Sequence, residues 1–457
     1  MMDTVAATHA VNGRLLGSPV TFMRVTTDSR SIARDDLFIA LKGERFDGHD
    51  FVSRALAAGA AAAIVADDRV AELSGNLIAV ADTQKALGAL AQHWRSRFAL
   101  PVVAVCGSNG KTTTKEMIAA IFREAAGNDH VLATSGNLNN AIGLPLTLLR
   151  LRASHKLAVV EIGMNHRGET AELAAIAHPT AVVVTNAQRE HQEFMRSVAE
   201  VAAEHADAIA ALPASGTAVI NADDEYADVF HAAARDAKAE ILEFGVARRA
   251  NVTARVSHLD QGSHLELKTP VGDAALTLAI PGAHMVSNAL AATAAALAVQ
   301  IPLAAIVRGL GAFRALDGRL AVRDTAHGLR VIDDSYNANP DSVRAAIDVL
   351  AKAGGTRWLV LGDMGEVGAM GPAFHREIGE YARNAGIERL LAVGDLAVAI
   401  VEAFGPQATH FKSVDALVLH LLGEGESGDT ILVKGSRFMR MERVVAALTG
   451  DAEAKAH

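Results

Sequence analysis

The chain has 457 residues, half of them hydrophobic and only 4% aromatic, which is enough for two or three domains. The Ala-rich, aromatic-poor bias suits helices packed closely on sheets and argues against an all-β sandwich. Lys and Arg total 43 against 52 acidic residues, a net charge of −9, which makes the chain a poor candidate for a general nucleic-acid binder and requires any anionic ligand to be held by local devices.

Residues 1 to 98 mix short extended runs, Val20–Val25 and Leu37–Leu41, with a helix near Val52–Ala58. A second helix over about Thr83–Phe98 leads to Pro101, a natural boundary. From Val102 the pattern becomes strands alternating with helices. Strands are predicted at Val102–Cys106, Leu157–Glu161, Ala181–Thr185 and Thr217–Asn221, with helices from Lys111 and near Ser197–Leu212. This is the rhythm of a doubly wound, mainly parallel sheet. The region closes with an Ala-rich helix, Ser287–Val299, and a glycine turn near Phe313–Gly318. A third α/β run follows Arg319, with strands at Leu329–Asp333, Arg357–Leu361, Arg389–Val393 and Thr430–Val433. Its helices fall near Ser342–Ala353, Pro372–Ala385, Asp395–Phe404, Val414–Leu422 and Arg440–Leu448. The fold class is therefore α/β in three domains: a small mixed one over 1–98, a central P-loop domain over 99–315 and a C-terminal Rossmann-like one over 316–457.

Cys106 is the only cysteine, so neither an intrachain disulfide nor a cysteine-based zinc site can form. The start, Met-Met-Asp-Thr-Val, has no basic region before an apolar core, and no signal peptide is expected. Apolar runs are too short for a membrane span. A cytoplasmic, monomeric protein is expected.

The sharpest chemical signal is Gly107-Ser108-Asn109-Gly110-Lys111-Thr112-Thr113, between an apolar strand and a helix. Glycines let backbone N–H groups turn inward onto phosphate oxygens, and the helix adds unpaired N–H groups and its positive dipole end. Lys111 would lie along the outer phosphates and the Thr112 hydroxyl would face Mg²⁺. Val105 stands where the common P-loop has its first glycine, so this is a shorter variant anchored on Gly107. The alternative is a glycine turn capping a helix that bears a surface lysine.

With Lys-Thr-Thr after its glycines, this loop resembles those of the Mur ligase family and of the related folylpolyglutamate synthetases. Other segments carry the resemblance to Mur ligases further. Asp28-Ser29-Arg30 and Ala40-Leu41-Lys42-Gly43-Glu44-Arg45-Phe46-Asp47-Gly48 are similar to the family's uridine-nucleotide domain. Thr134-Ser135-Gly136-Asn137-Leu138-Asn139-Asn140 is similar to its substrate-facing stretch. Asp333-Asp334-Ser335-Tyr336-Asn337-Ala338-Asn339-Pro340 and Leu361-Gly362-Asp363-Met364-Gly365-Glu366 are similar to its last peptide-extending member. The Asp-Asn-Pro-Arg motif of the member adding the third amino acid is absent.

The resemblance implies an ATP-dependent ligase with Mg²⁺, acting on UDP-N-acetylmuramoyl-tripeptide and D-alanyl-D-alanine through an acyl phosphate. It implies Lys111, Glu161 and His191 as catalytic, with Thr112, Glu161 and His191 toward the metal. ATP would be held by Gly107 through Thr113, Asn288, Arg319 and Asp333 or Asp334. The muropeptide and dipeptide would meet Ser29, Arg30, Lys42, Asp47, Ser135, Asn139, Asn140, Tyr336, Asn337 and Asn339. Many Mur ligases carry a carbamate-modified lysine 14 residues after the histidine; here that position is His205. A histidine supplies no such negative charge, so Glu190, Glu193 and Glu204 are candidates to replace it. Two other readings remain: a related ligase with another amine, or a P-loop nucleotide switch that makes no bond.

Overall fold

Strands buried on both faces have no use for polar alternation, and the central sheet is built from such runs: Val-Val-Ala-Val-Cys over Val102–Cys106 and Ala-Val-Val-Val over Ala181–Val184 are buried throughout. The structure is a computed structural model describing residues 1–450. Six parallel strands run in the order Glu240–Phe244, Thr217–Asn221, Ala181–Val184, Val102–Cys106, Leu157–Glu161, Val131–Ala133. Val102–Cys106 comes first in the chain yet lies inside the sheet, and later strands are laid down on both sides of it. Ligands bind at such a switch point, beyond the strands' C-terminal ends.

On one face, helices Lys111–Ala126 and Ala283–Ala298 pack into a core with Val103, Val105, Val159 and Val183. On the other face, helix Thr83–Arg95 joins the N-terminal sheet to the central one. Trp94 Nε1 donates to Leu151 O at 3.1 Å, and the buried Arg95 donates to Ala177 O and His178 O, each at 3.1 Å. A guanidinium set against these last carbonyls satisfies groups a helix end leaves unpaired.

The N-terminal sheet has the order Arg14–Leu16, Leu77–Val80, Ala62–Ala66, Asp36–Ile39, Arg24–Thr26, with only the first pair antiparallel. The C-terminal sheet runs Ala321–Asp324, Arg330–Asp334, Thr430–Lys434, Arg357–Gly362, Arg389–Val393, Ala408–Phe411, again with one antiparallel pair at the edge. The three-domain α/β architecture is as expected from the sequence.

Local expectations differ in places. Val20–Val25 is not one strand: Thr21–Phe22 pairs with Met2–Asp3, and Arg24–Thr26 joins the main sheet. Phe22 and Val25 are both buried, a spacing that a single period-two strand cannot satisfy. The Ala-rich helix begins at Ala283, not Ser287, and a further helix, Leu303–Ala312, follows it. A three-stranded antiparallel sheet, Thr253–Leu259, Gly262–Thr269 and Gly272–Leu278, was absent from the sequence reading.

Candidate active site

The loop after Val102–Cys106 needs its glycines for two reasons. Gly107 and Gly110 have φ of 121° and 84°, conformations that L side chains rarely adopt. A Cβ would lie 2.1 Å from Thr185 Oγ1 at Gly107 and 2.3 Å from Asn288 Oδ1 at Gly110. Helix Lys111–Ala126 starts with no side-chain cap, leaving its first N–H groups for a ligand. The loop is held from behind. Asn109 N–H donates to Asn186 Oδ1 at 2.9 Å, and Thr185 Oγ1 donates to Asn109 O at 2.7 Å.

Lys111 folds back over this loop. Its Nζ donates to Gly107 O at 2.5 Å, Ser108 O at 3.1 Å and Glu190 Oε2 at 3.2 Å. Glu190 is buried, and its other oxygen lies 2.9 Å from His205 Nε2. Burial alone would raise the Glu190 pKa, but the Lys111 ammonium and His205 outweigh it and hold the carboxyl at about 2. His191, in the left-handed region at φ 49°, places Nε2 3.8 Å from Glu190 Oε2 and Nδ1 2.7 Å from Glu366 Oε2. That second pair is close but poorly aligned for a hydrogen bond. His191 holds the Glu366 carboxyl below its usual range.

Of the three acids that are candidates to replace the carbamate charge, Glu190 alone bonds to His205. Glu204 accepts from Gly168 N–H and Thr170 N–H, each at 2.9 Å, at the start of helix Glu169–Ala177. Glu193 is exposed.

Glu161 ends its strand and is 2% exposed. Asn139 Nδ2 donates to Glu161 Oε1 at 2.7 Å, whereas Oε2 is buried without a partner. A partnerless buried carboxylate oxygen at a cavity wall that also carries the Thr112 hydroxyl offers oxygen donors of the kind a hard cation takes. Among the described residues, no three His, Cys, Asp or Glu side chains converge on one metal position. Phosphate oxygens and water would therefore complete the shell, as is usual for Mg²⁺.

The C-terminal domain reaches the same place. Arg319 donates to Thr112 Oγ1 at 3.0 Å and stacks 4.2 Å from the Tyr336 ring centroid. Asn339 Nδ2 donates to Asn109 Oδ1 at 2.9 Å. Asp334 faces the cavity and pairs with Lys434 at 2.6 Å. Asp333 turns away: its oxygens accept from Gly318 N–H at 3.0 Å and Ser335 Oγ at 2.6 Å. Of the two aspartates, Asp334 is therefore the one positioned to meet a ligand.

These groups surround one cavity of about 1460 Å³, larger than a single-ligand pocket. Ser108, Asn109, Gly110, Thr112, Thr113, Asn139, Asn140, Glu161, His191, Asn288, Arg319, Tyr336, Asn337 and Asn339 line it. Asn140 Oδ1 also accepts from Ile142 N–H at 3.1 Å and Gly143 N–H at 2.9 Å, ahead of helix Gly143–Leu148. The N-terminal candidates are not brought to this cavity. Ser29 accepts from Arg54 at 2.8 Å, Arg30 pairs with Asp28 at 2.9 Å, and Lys42 is exposed; Ser135, in the central domain, is exposed and also outside the lining. Asp47 accepts from His49 N–H at 3.0 Å and pairs with Arg69 at 2.5 Å. Sequence reasoning passed over Arg189, whose side chain joins Asp341 at 2.6 Å and Glu377 at 2.7 Å in the C-terminal domain. No local motif marks that arginine.

Three family models tile the chain: the Mur ligase family catalytic domain over residues 21–95, the Mur ligase middle domain over 105–296 and the Mur ligase glutamate ligase domain over 318–437. Over 445 residues the chain is 42% identical to UDP-N-acetylmuramoyl-tripeptide–D-alanyl-D-alanine ligase of Escherichia coli K12, covering 96% of this chain and 97% of that one. The chain belongs to the Mur ligase family. Among solved structures, MurF from Acinetobacter baumannii superposes with a TM-score of 0.91 at 33% identity, with 98% of each chain covered. MurF ligase from Thermotoga maritima in complex with ADP does so at 0.82 and 25% identity, covering 94% of this chain and 97% of that one. As a Mur ligase the protein is an ATP-dependent, peptide-bond-forming enzyme of peptidoglycan precursor synthesis.

Proposed function

We propose that the protein joins D-alanyl-D-alanine to the terminal carboxylate of UDP-N-acetylmuramoyl-tripeptide, working as a cytoplasmic monomer. The full-length likeness to a ligase named for those two compounds supports this choice of substrates. The observation that carries the chemistry is the meeting of two domains on the glycine loop, where Arg319 contacts Thr112 and Asn339 contacts Asn109.

The substrate carboxylate attacks the γ-phosphorus of ATP, the bond to the bridging oxygen breaks, and ADP leaves. The amine of the dipeptide then attacks the acyl carbon, phosphate leaves, and the amine's proton passes to solvent or a nearby base. Two anions must approach in the first step, so positive charge has to gather between them. Lys111 supplies it once its ammonium exchanges the Gly107 and Ser108 carbonyls for phosphate oxygens. Arg319 supplies a second charge from the opposite wall. Thr112, Glu161 and His191 would hold Mg²⁺, which when bound neutralises phosphate charge. Asn288 would meet the nucleotide beside Gly110. Asp334, Tyr336, Asn337 and Asn339 would shape the wall where ATP and the dipeptide meet. Ser29, Arg30, Lys42 and Asp47 would bind the uridine end, with Ser135, Asn139 and Asn140 along the peptide. Closure around the cavity excludes water from the acyl phosphate.

Phosphate release, followed with UDP-muramoyl-tripeptide and with or without D-Ala-D-Ala, tests the reading. Release should require both compounds, and the product should gain the mass of the dipeptide less water. Release that ignores both compounds would point to a nucleotide switch. Release that accepts only another amine would point to a different ligase.

A further inference from the structure

The cation pairing of Glu190 cannot stay as it is when nucleotide arrives. Its carboxylate is buried and makes three approaches: Lys111 Nζ at 3.2 Å, His205 Nε2 at 2.9 Å and His191 Nε2 at 3.8 Å. Lys111 is the fixed positive charge among these, and it is also the group that triphosphate must draw away. A buried carboxylate left without its cation is strongly disfavoured. The cavity wall that Glu190 shares with Thr112 and Glu161 also holds the partnerless Glu161 Oε2, so a second cation-seeking oxygen already lines it. His205 is 1% exposed and lies behind Glu190, where it fixes the carboxylate's orientation whatever occupies the front.

We propose that Glu190 exchanges Lys111 for the divalent cation that accompanies ATP, with His205 as the positioning residue that keeps the carboxylate aimed at it. In the empty site Glu190 restrains the lysine and keeps the loop shaped. In the loaded site the same carboxylate adds negative charge on the cation's protein side, either by direct contact or through a bound water. This inference rests on the ATP-ligase reading above.

The test uses the full chain, Mn²⁺ as the probe and a non-hydrolysable ATP analogue. Mn²⁺ affinity of the nucleotide complex is read by electron paramagnetic resonance, and analogue affinity without divalent cation by fluorescence. Glu190→Gln should weaken Mn²⁺ about ten- to a hundredfold, the usual loss when a group supporting a metal site is removed. Cation-free analogue binding should hold or tighten, because Lys111 is no longer restrained. Glu190→Asp, which keeps the charge, should recover most of the Mn²⁺ affinity, and His205→Ala should show a smaller loss of the same kind. Unchanged Mn²⁺ affinity in Glu190→Gln overturns the proposal, and so does an equal loss in the Gln and Asp variants, since shape alone would then be responsible. Failure of the unaltered protein to bind the analogue at all would instead overturn the ATP-ligase reading.

Discussion

Asn339 bonds two ways at once: its Nδ2 donates to Asn109 Oδ1 at 2.9 Å, while its Oδ1 accepts Ser342 N–H at 2.8 Å. The second bond caps helix Pro340–Leu350 in a capping box. The cap fixes the amide's orientation, so the contact to the nucleotide loop reports where the C-terminal domain stands. Asn339→Ala should lose both roles, costing about 0.5–2 kcal/mol of stability for the cap along with nucleotide affinity. Asn339→Ser should recover the stability but not the affinity. Urea unfolding and analogue titration on the two variants separate the effects.

Arg189 clamps the same two domains through Asp341 at 2.6 Å and Glu377 at 2.7 Å. All three side chains are half-buried, and the guanidinium is two-pronged, which favours a real contribution over a screened surface pair. A double-mutant cycle of Arg189→Ala with Asp341→Ala should give a coupling of about 0.5–3 kcal/mol. Small-angle scattering should show Arg189→Ala more extended. A coupling near zero with unchanged dimensions would remove the clamp.

That clamp should also carry a pH signature. Its hydrogen bond to Arg189 is the largest influence on the Glu377 carboxyl, and it holds the pKa below the ordinary 4.5 despite partial burial. A depressed carboxylate pKa gives stability that is fully present above the unfolded-state value and is lost as pH falls through the folded-state one. The stability gap between the unaltered protein and Glu377→Gln should therefore be constant at pH values well above the ordinary 4.5. It should shrink as the pH is lowered below 4.5. A gap that grew on acidification would contradict the assignment.

Lys111→Ala should lower turnover by roughly 10²–10³, the scale seen when one charge-stabilising group is removed, while circular dichroism stays unchanged. A loss below threefold would shift the burden to Arg319.

Gly110→Ala should damage the loop. Its φ is 84° and the added methyl would sit 2.3 Å from Asn288 Oδ1. Conformational strain alone costs about 1–3 kcal/mol. Pairing it with Asn288→Ala should relieve the collision and leave the strain, so stability to urea should recover only in part.

The phosphate loop was legible because its chemistry is local: strand, glycines, lysine and helix follow one another in the chain. Glu161 at a strand end and His191 in the loop after Ala181–Val184 were picked out with the help of resemblance, and both line the cavity. The choice between Asp333 and Asp334 was not, because it depends on which carboxylate Gly318 N–H and Ser335 claim. Arg189 escaped notice because its partners lie far along the chain, and an isolated arginine reads as surface. The Thr253–Leu259, Gly262–Thr269 and Gly272–Leu278 strands escaped notice because Thr, Ser, His, Glu and Lys crowd their open face and dilute the apolar signal. Three acids were candidates in sequence to replace the carbamate charge, and only the fold could show that Glu190 is the one bonded to His205.

Arg319 directly follows Gly318, whose φ is 71°, at the junction with the first C-terminal strand. Gly318 N–H donates to Asp333 and its carbonyl accepts from Tyr336 N–H, so the glycine and the arginine after it belong to the C-terminal domain as one body. The positive charge that Arg319 brings to the glycine loop is thus available only where the C-terminal domain is seated on Thr112.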